Sequence, residues 1–443
     1  MARTRRKPLP IIPVKAVINS LTHDGRGVAH IDGKAVFIDA ALPGEEVEFL
    51  YTEIRRDYAE ARVVKVLTPS EHRVEPLCPH FDVCGGCSFQ HVDSEMQIEI
   101  KQGLLEEQFK RIGKLTIPEL WEPLTGPHWG YRRKARMGVK YVAKKNRVLV
   151  GFREKRNPYL AEMDNCIVMH PIVGTKLVDL GEMIEGLSIR EKIPQIEVAI
   201  GDGQCVLAIR VLEPPTDADQ ERMRSFGKAH NLVLCLQSKG PDTITPLDGE
   251  PEAIPTYALP ESGIEFKFRP AMFTQVNYEI NRLMVKRVLD TFNLTKEDTV
   301  LDLFCGLGNF TLPIAKVAGL VVGVEGDLPL VKHARENALH NGIENVEFYA
   351  ADLSKDISDQ AWANRKYNKI LLDPSRAGAS EVLRYFKHWQ PEQIIYVSCN
   401  PSTLARDAGI LVKELGYKLI KAGVMDMFPQ TGHVESIALF EAV

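Results

Sequence analysis

Thr299-Val-Leu-Asp-Leu-Phe304-Cys-Gly-Leu-Gly308-Asn-Phe310 is the stretch whose reading decides the fold. Its first six residues are mostly apolar and read as a buried strand. Gly306 and Gly308 supply a turn, and Phe310–Val317 starts a helix. Leu320–Val324 is a second apolar strand ending in Glu325. From Asn293 onward strand and helix patterns alternate steadily, which predicts a mostly parallel sheet with helices on both faces. Sheets of this kind bind ligands outside the carboxyl ends of their strands.

Glycines after the first strand admit close approach of a ligand, and an acid at the tip of the second suits a ribose diol. The third glycine of the dinucleotide fingerprint is absent, because Asn309-Phe310 follows Gly308. An acid inside the first strand (Asp302) and one ending the second (Glu325) favour S-adenosylmethionine over a nicotinamide cofactor. Cys305, in this turn, reads as a packing residue. Further strand tips carry Asp352 after Phe348-Tyr-Ala-Ala, where it reaches an adenine, and Asp373 after Lys369-Ile-Leu-Leu. Ile394-Ile-Tyr-Val-Ser-Cys399-Asn-Pro401 is a buried strand that turns into a helix at the cysteine. The helix N-terminus is expected to favour the Cys399 thiolate, the nucleophilic form. Tyr417–Met425 and His433–Phe440 are expected to pair antiparallel, bringing Glu435 near the edge that holds Cys399.

At 443 residues the chain is too long for one core, so two to three domains are expected. A hydrophobic content of 44% with 26% charged residues describes a soluble globular protein without a membrane span. The basic N-terminus lacks an apolar segment after it and is not a secretory signal, so a cytoplasmic location is expected. Eight cysteines are too few for a disulfide scaffold and suggest metal or catalysis where they cluster. The net charge of -4 leaves nucleic-acid binding to a local patch.

Residues 1–13 read as a basic flexible arm with Arg3, Arg5, Arg6 and Lys7. Over 14–68, the short strands Val14–Ile18, Gly27–Ile31, Ala35–Ile38, Glu46–Tyr51 and Tyr58–Leu67 are punctuated by Asp24-Gly25, Asp32-Gly33 and Pro43-Gly44. They predict a small OB-like β-barrel, a shape often used on RNA. Next, Cys78-Pro-His-Phe-Asp-Val-Cys84-Gly-Gly-Cys87 gathers three thiols, with Cys166 a distant fourth ligand. Spacing alone leaves open an iron–sulfur cluster on four thiolates, a zinc site involving His80 or His91, and no ligand. A helix is expected over 92–112.

The basic part follows. From Trp129 to Tyr159 eleven Lys and Arg side chains, Arg132, Arg133 and Lys134 among them, face the single acid Glu154, with five aromatic rings interleaved. Charge to grip phosphate and rings to stack bases suit unpaired RNA. Residues 167–260 read as further α/β structure, with strands Gln195–Ile200, Gln204–Val211 and Leu232–Leu236, a helix over 217–229, loops over 241–260, and Cys205 and Cys235 in the core.

Taken together, these motifs resemble the bacterial large-subunit ribosomal RNA (uracil-5-)-methyltransferases that carry a TRAM domain and a [4Fe-4S] cluster. The resemblance spans nearly the whole chain. Its carriers are His23–Asp39 with Leu42–Val47, the four cysteines, Phe273-Thr-Gln-Val-Asn277, Asp302–Phe310, Asp373-Pro-Ser-Arg-Ala-Gly378, Ser398-Cys-Asn-Pro401 and His433-Val-Glu435. Ser375 stands where many relatives have Pro or Ala. The resemblance implies a multidomain α/β protein: a TRAM barrel (14–68), a central α/β domain with the cluster and a basic RNA-binding surface (75–268), and a Rossmann-like class I methyltransferase domain (269–443). The 92–112 helix is expected to pack on the last of these.

The resemblance implies Gln275, Phe304, Asn309, Glu325, Asp352 and Asp373 around the methyl donor, Cys399 as nucleophile and Glu435 as base. It assigns Cys78, Cys84, Cys87 and Cys166 to the cluster. Arg132, Arg133 and Lys134 are expected on RNA, with Phe273 against a flipped base. The expected substrate is a uridine in a single-stranded loop of large-subunit ribosomal RNA, and the expected state is a monomer. Transfer RNA is the alternative substrate. The TRAM-like module and the cluster weigh against it, since the transfer-RNA relatives are expected to lack both. A radical S-adenosylmethionine methylthiolase is disfavoured by the x5, x2 cysteine spacing. An RNA-binding redox module would leave Asp302–Asn309 and Cys399 without a role.

Overall fold

A computed structural model describes residues 9–22, 24–249 and 254–443. Arg3, Arg5, Arg6 and Lys7 of the expected arm lie outside the described residues, as do His23 and 250–253 of the expected loop. The chain forms two compact units, residues 1–101 with 428–433, and 102–427 with 434–443.

In the first unit six strands, Val14–Val17, Ser20–Leu21, Gly27–Ile31, Lys34–Asp39, Glu46–Ile54 and Tyr58–Thr68, form one sheet. Alternation selects its core: Ala29, Val36, Ile38, Val47, Phe49 and Ala61 point inward. Asp32 (φ +50°) and Gly33 (φ +79°) are both left-handed, as a two-residue hairpin turn demands. The sequence reading found five of these strands; the sixth, Ser20–Leu21, is too short to show a pattern.

The second unit holds two larger sheets. A six-stranded one has the order 244–246, 233–237, 205–210, 195–200, 134–142, 147–151. Strands Cys205–Arg210 and Val233–Gln237 run parallel and are joined by helix Asp217–His230. Cys205 and Cys235 are buried in this sheet, as expected.

The other sheet belongs to the catalytic half and follows helix α1 (Tyr278–Phe292). Its elements in chain order are β1 (Thr299–Leu303), α2 (Thr311–Val317), β2 (Leu320–Glu325), α3 (Leu328–His340), β3 (Val346–Ala350), β4 (Lys369–Leu372), β5 (Gln393–Ser398), α4 (Pro401–Lys413), β6 (Tyr417–Met425) and β7 (Glu435–Ala442). The strand order is β3-β2-β1-β4-β5-β7-β6. The first five are parallel, and β7 is antiparallel to both β5 and β6. Val300, Leu301, Val322, Ile370, Ile394 and Val397 are fully buried, which is why these strands read as continuous apolar runs rather than alternating ones.

The helix expected over 92–112 runs Ser94–Gln108 and then winds into a π-turn at Phe109–Gly113. Its C-terminal end lies on α4. Ser402 Oγ donates to Gln108 Oε1 (3.0 Å), Lys413 Nζ donates to the Gly113 carbonyl (2.8 Å), and a Cβ on Gly113 would meet the Ala405 carbonyl at 2.7 Å.

Candidate active site

The β1–α2 turn is built from alternating left-handed residues: Phe304 (φ +66°), Gly306 (+57°) and Gly308 (+93°). Glycine accepts this conformation freely, whereas a phenylalanine held there costs about 1–3 kcal/mol. It is held by the amides of Phe304 and Cys305, which both donate to the Val324 carbonyl (2.8 and 3.1 Å). Glu325 ties off the turn, accepting from the amides of Gly306 (3.1 Å) and Asp327 (3.0 Å).

Beneath the turn Asp302 is fully buried. Thr311 Oγ1 donates to its Oδ2 at 2.5 Å, while Oδ1 has no hydrogen-bond partner among the described residues. Burial pushes its carboxyl up to about 8, and the neighbouring Asp373 and Glu325 add to the shift. Burial likewise raises Asp373 to about 7, with Glu325 contributing. An orphaned buried carboxylate oxygen among crowded acids suits a ligand that brings positive charge and hydroxyl donors. A sulfonium nucleoside such as S-adenosylmethionine does both, and these residues fit it.

The other expected donor residues sit differently. Asn309 exchanges two hydrogen bonds with Asn281 of α1 (2.9 and 2.8 Å) and accepts a third from the Tyr257 hydroxyl (2.9 Å), so its side chain braces the turn. Asn281 and Tyr257 were not found by sequence reasoning; an asparagine on the buried face of an amphipathic helix is the only signal they offered. Gln275 is half-buried just before α1, and Asp352 is exposed beyond β3. Hydrogen bonds from Ser354 and Lys355 hold the Asp352 carboxyl down at about 2. Cys305 is buried, as the packing reading expected.

Cys399 follows β5 and Glu435 opens β7. The register pairs Ser398 with Ser436, and the residues one step beyond on the two strands are Cys399 and Glu435. Cys399 is half-buried and Glu435 is only 4% exposed, so the carboxylate is no surface charge. The Cys399 thiol differs from expectation. It is raised rather than lowered, first by burial and then by the charges of Glu435 and Asp373, while Arg376 acts in the opposite direction. Burial, with the neighbouring acids adding to it, outweighs the helix N-terminus here. Burial also raises Glu435 well above the ordinary carboxylate range, Asp373 adding and Arg376 opposing.

Arg376 lies on the 373–379 loop after β4, and α4 clamps that loop. Asn400 Nδ2 donates to the Arg376 carbonyl (3.0 Å) and Arg406 Nη2 to that of Ala377 (3.0 Å). The fully buried Asp407 accepts from the Ala379 amide (2.7 Å), the Tyr396 hydroxyl (2.6 Å) and Arg406 Nε (2.8 Å). Gly378 is left-handed (φ +83°) with Asp407 Oδ2 2.7 Å from where a Cβ would stand, so only glycine fits. Sequence reasoning quoted this loop without seeing its clamp.

The expected RNA-gripping cations turn inward. Arg133 Nη1 bonds the Gly201 carbonyl (3.1 Å) and Asp202 (3.0 Å), and its guanidinium lies 4.6 Å from the Tyr278 ring centroid. Lys134 Nζ donates to the Pro270 carbonyl, and burial lowers its ammonium to about 8. Arg132 Nε donates to the Lys134 carbonyl (3.1 Å). Each of these three half-buried cations thus has a partner within the unit. Phe273, by contrast, is 67% exposed and is not a core residue.

Cys78 and Cys84 are buried, Cys87 and Cys166 half-buried, and the Gly86 amide donates to Cys84 Sγ (3.4 Å). Among the described residues no three His, Cys, Asp or Glu side chains stand close enough to hold a metal ion.

Comparison with known proteins gives the family. Residues 256–443 match the family described as tRNA (Uracil-5-)-methyltransferase, and 14–64 match the TRAM domain. The 23S rRNA (uracil(1939)-C(5))-methyltransferase RlmD of Methylococcus capsulatus is 54% identical over 99% of both chains. That of Alkalilimnicola ehrlichii is 52% identical over 99% of this chain and 98% of its own. The crystal structure of Pyrococcus abyssi tRNA (uracil-54, C5)-methyltransferase in complex with S-adenosyl-L-homocysteine superposes with a TM-score of 0.72 at 22% identity. It covers 96% of this chain and 99% of that one, which shows a shared fold. At 50% identity and above over nearly their full length with the curated relatives, the chain belongs to the 23S ribosomal RNA uracil-5-methyltransferase family, S-adenosylmethionine-dependent enzymes of RNA.

Proposed function

We propose that this chain methylates C5 of the uridine equivalent to 1939 in 23S ribosomal RNA, with Cys399 as nucleophile and Glu435 as base. The observation that carries the reading is the β5–β7 register, which sets Cys399 and Glu435 at adjoining strand ends beside the acid-rich donor turn.

C5 of uracil is a poor nucleophile until C6 is attacked. The Cys399 thiolate adds to C6, and the electron pair of the C5–C6 double bond moves toward O4 as an enolate, which makes C5 nucleophilic. When bound, S-adenosylmethionine supplies an electrophilic methyl carbon to C5. Glu435 then takes the C5 proton, the C5–C6 double bond re-forms, and the C6–S bond breaks with its electron pair returning to Cys399. The target base leaves its stack to be reached, at a cost of a few kcal/mol that is smallest in a single-stranded loop. The exposed Phe273 ring is suited to receive it. Glu325 and the β1–α2 turn, with Gln275, Phe304, Asn309, Asp352 and Asp373, would hold the donor.

A [4Fe-4S] cluster on Cys78, Cys84, Cys87 and Cys166 is part of the same proposal. Its support is the cysteine pattern and the family resemblance, and no step of the reaction is routed through it. Iron and acid-labile sulfide in anaerobically purified protein, lost in Cys84→Ser, would test it. A monomer acting in the cytoplasm completes the reading.

The test of the reaction is a denaturation-resistant adduct on 5-fluorouridine-substituted 23S ribosomal RNA in the presence of the donor. Fluorine cannot leave as a cation, so Cys399 stays bonded to C6. An adduct absent in Cys399→Ala supports the assignment. An adduct on transfer RNA instead would keep the chemistry and change the substrate.

A further inference from the structure

Arg132, Arg133 and Lys134 are half-buried and bonded within the unit, and the basic region has a second, more exposed face. The chain that leaves strand Arg147–Gly151 supplies it. Residues 152–161 double back as a short arm. Arg153 and Leu160 form an antiparallel bridge, the Glu154 amide donates to the Tyr159 carbonyl (2.9 Å), and the Ala161 amide donates to the Phe152 carbonyl (2.9 Å). Leu160 anchors the arm, its Cδ2 packing over Gly138 of strand Lys134–Val142, 2.6 Å from where a Cβ there would stand. Asn157 Nδ2 donates to Glu154 Oε2 (2.8 Å) and stiffens the tip.

What this ordered arm presents is chemically specific. Tyr159 is 69% exposed, a large ring held out by a backbone that is itself hydrogen-bonded. Arg153 and Arg156 are exposed on the same turn. At the base of the arm Glu162 pairs with Arg147 (2.7 Å) and Lys145, while Lys144 is exposed on the adjoining hairpin. Between 143 and 162 six Lys and Arg side chains face two acids, Glu154 and Glu162, both of which are engaged within the arm or at its base. A rigid aromatic platform flanked by exposed arginines is the composition that stacks an unpaired base while neutralising its phosphates.

We propose that the 152–161 arm is an RNA-contacting surface, with Tyr159 stacking on an unpaired base of the ribosomal RNA and Arg153 and Arg156 holding the adjoining phosphates. The inference rests on the proposed RNA substrate and names the part of the protein, away from the reacting residues, that grips it.

The two chemistries separate in the test. Dissociation constants for protein-free 23S ribosomal RNA are measured across a salt series for the unmodified chain, Tyr159→Ala and Arg153→Ala/Arg156→Ala, with melting temperatures confirming folding. Loss of one stacked base weakens binding about 5- to 150-fold. For Tyr159→Ala this loss should leave the salt dependence unchanged. The double arginine variant should weaken binding and flatten the slope of log K against log salt by about 1 to 2, the signature of two phosphates no longer neutralised. Unchanged affinity and slope in both variants, with the unmodified chain binding and methylating the RNA, would overturn the arm while leaving the proposed function intact. Defects seen only on ribonucleoprotein particles and not on naked RNA would place the arm on a protein and also overturn it. Failure of the unmodified chain to bind this RNA would bring down the substrate reading itself.

Discussion

The hydroxyl of Ser436 donates to the main-chain carbonyl of Ser398 at 3.0 Å, where the ladder between β5 and β7 ends. One residue further along each strand stand Cys399 and Glu435, the proposed nucleophile and base. Their separation is therefore set by backbone pairing in a fully buried sheet rather than by flexible side-chain contacts. The antiparallel β7 inserted beside a parallel β5 is what brings two residues 36 positions apart to one edge.

Glu435→Gln should divide the reaction at its last stage. Glutamine keeps the shape of the buried side chain but accepts no proton, so addition and methyl transfer proceed while release from C6 fails. A denaturation-resistant complex carrying a labelled methyl group should accumulate on ordinary, unfluorinated RNA, and turnover should fall by about 10²- to 10⁴-fold. Electrophoresis after donor labelling reads both. Full turnover with no trapped complex would remove Glu435 from the role of base.

The pH profile follows from two raised groups. Cys399 must be a thiolate and Glu435 a carboxylate, and both are shifted upward, first by burial. The active ionisation state is therefore gained as pH rises, and kcat/KM should climb from the acid side through neutrality into the alkaline range. Arg376 opposes both shifts. In Arg376→Gln the rising limb should move to higher pH by about one unit or more, a nearby charge being worth 1–3 units. A limb that stays in place would separate Arg376 from the ionisation of the site.

Asp302 and Asp373 make donor and product binding respond differently to pH. Their folded values of about 8 and about 7 lie above the ordinary 3.8, so the folded protein holds these protons between roughly pH 4 and 8. Stability linked to them is full below that window and is lost as pH rises through it. Over the same rise the site gains negative charge. The cationic donor gains from that charge and the neutral product S-adenosylhomocysteine does not, so their affinity ratio should shift toward the donor by about tenfold between pH 6 and pH 9. Calorimetric titration at the two pH values measures it, and Asp302→Asn should blunt the change. A constant ratio would mean the acids do not face the sulfonium.

The sheet was legible because its strands are buried on both faces and its tips carry acids, a pattern that survives in sequence as apolar runs with terminal Asp or Glu. Cys205, Cys235 and Cys305 were readable as core for the same reason: each sits within or directly after such a run. What stayed hidden were the contacts whose partner is distant in sequence. Lys134 looks like a surface cation until the Pro270 carbonyl, 136 residues on, is seen to accept its proton. The bonds that brace Asn309 come from Asn281 and Tyr257, which its local motif does not reveal. The thiol of Cys399 looked acidic because the helix that follows it is local, whereas the burial that opposes that effect, and then Glu435 and Asp373, come from elements distant in sequence.

Asp407 is the residue whose loss should separate positioning from chemistry. Its Oδ2 takes the Ala379 amide and the Tyr396 hydroxyl while Oδ1 takes Arg406 Nε, so every close partner is a donor. Asparagine replaces one oxygen with a donor and sets it against another, an arrangement that costs about 1–3 kcal/mol for the group left unpaired. Tyr396→Phe removes one bond and leaves the acceptor otherwise served, at about 1 kcal/mol. Both should lower the melting temperature, Asp407→Asn more. A defect confined to stability would leave the folded fraction with a normal profile. If the clamp sets the place of Arg376, the rising pH limb of kcat/KM should move upward in Asp407→Asn as it does in Arg376→Gln, with donor affinity nearly unchanged. The two substitutions combined should then shift the limb no further than Arg376→Gln alone. Additive shifts would show that Asp407 acts on the site by another route, and an unmoved limb would reduce its role to holding the fold.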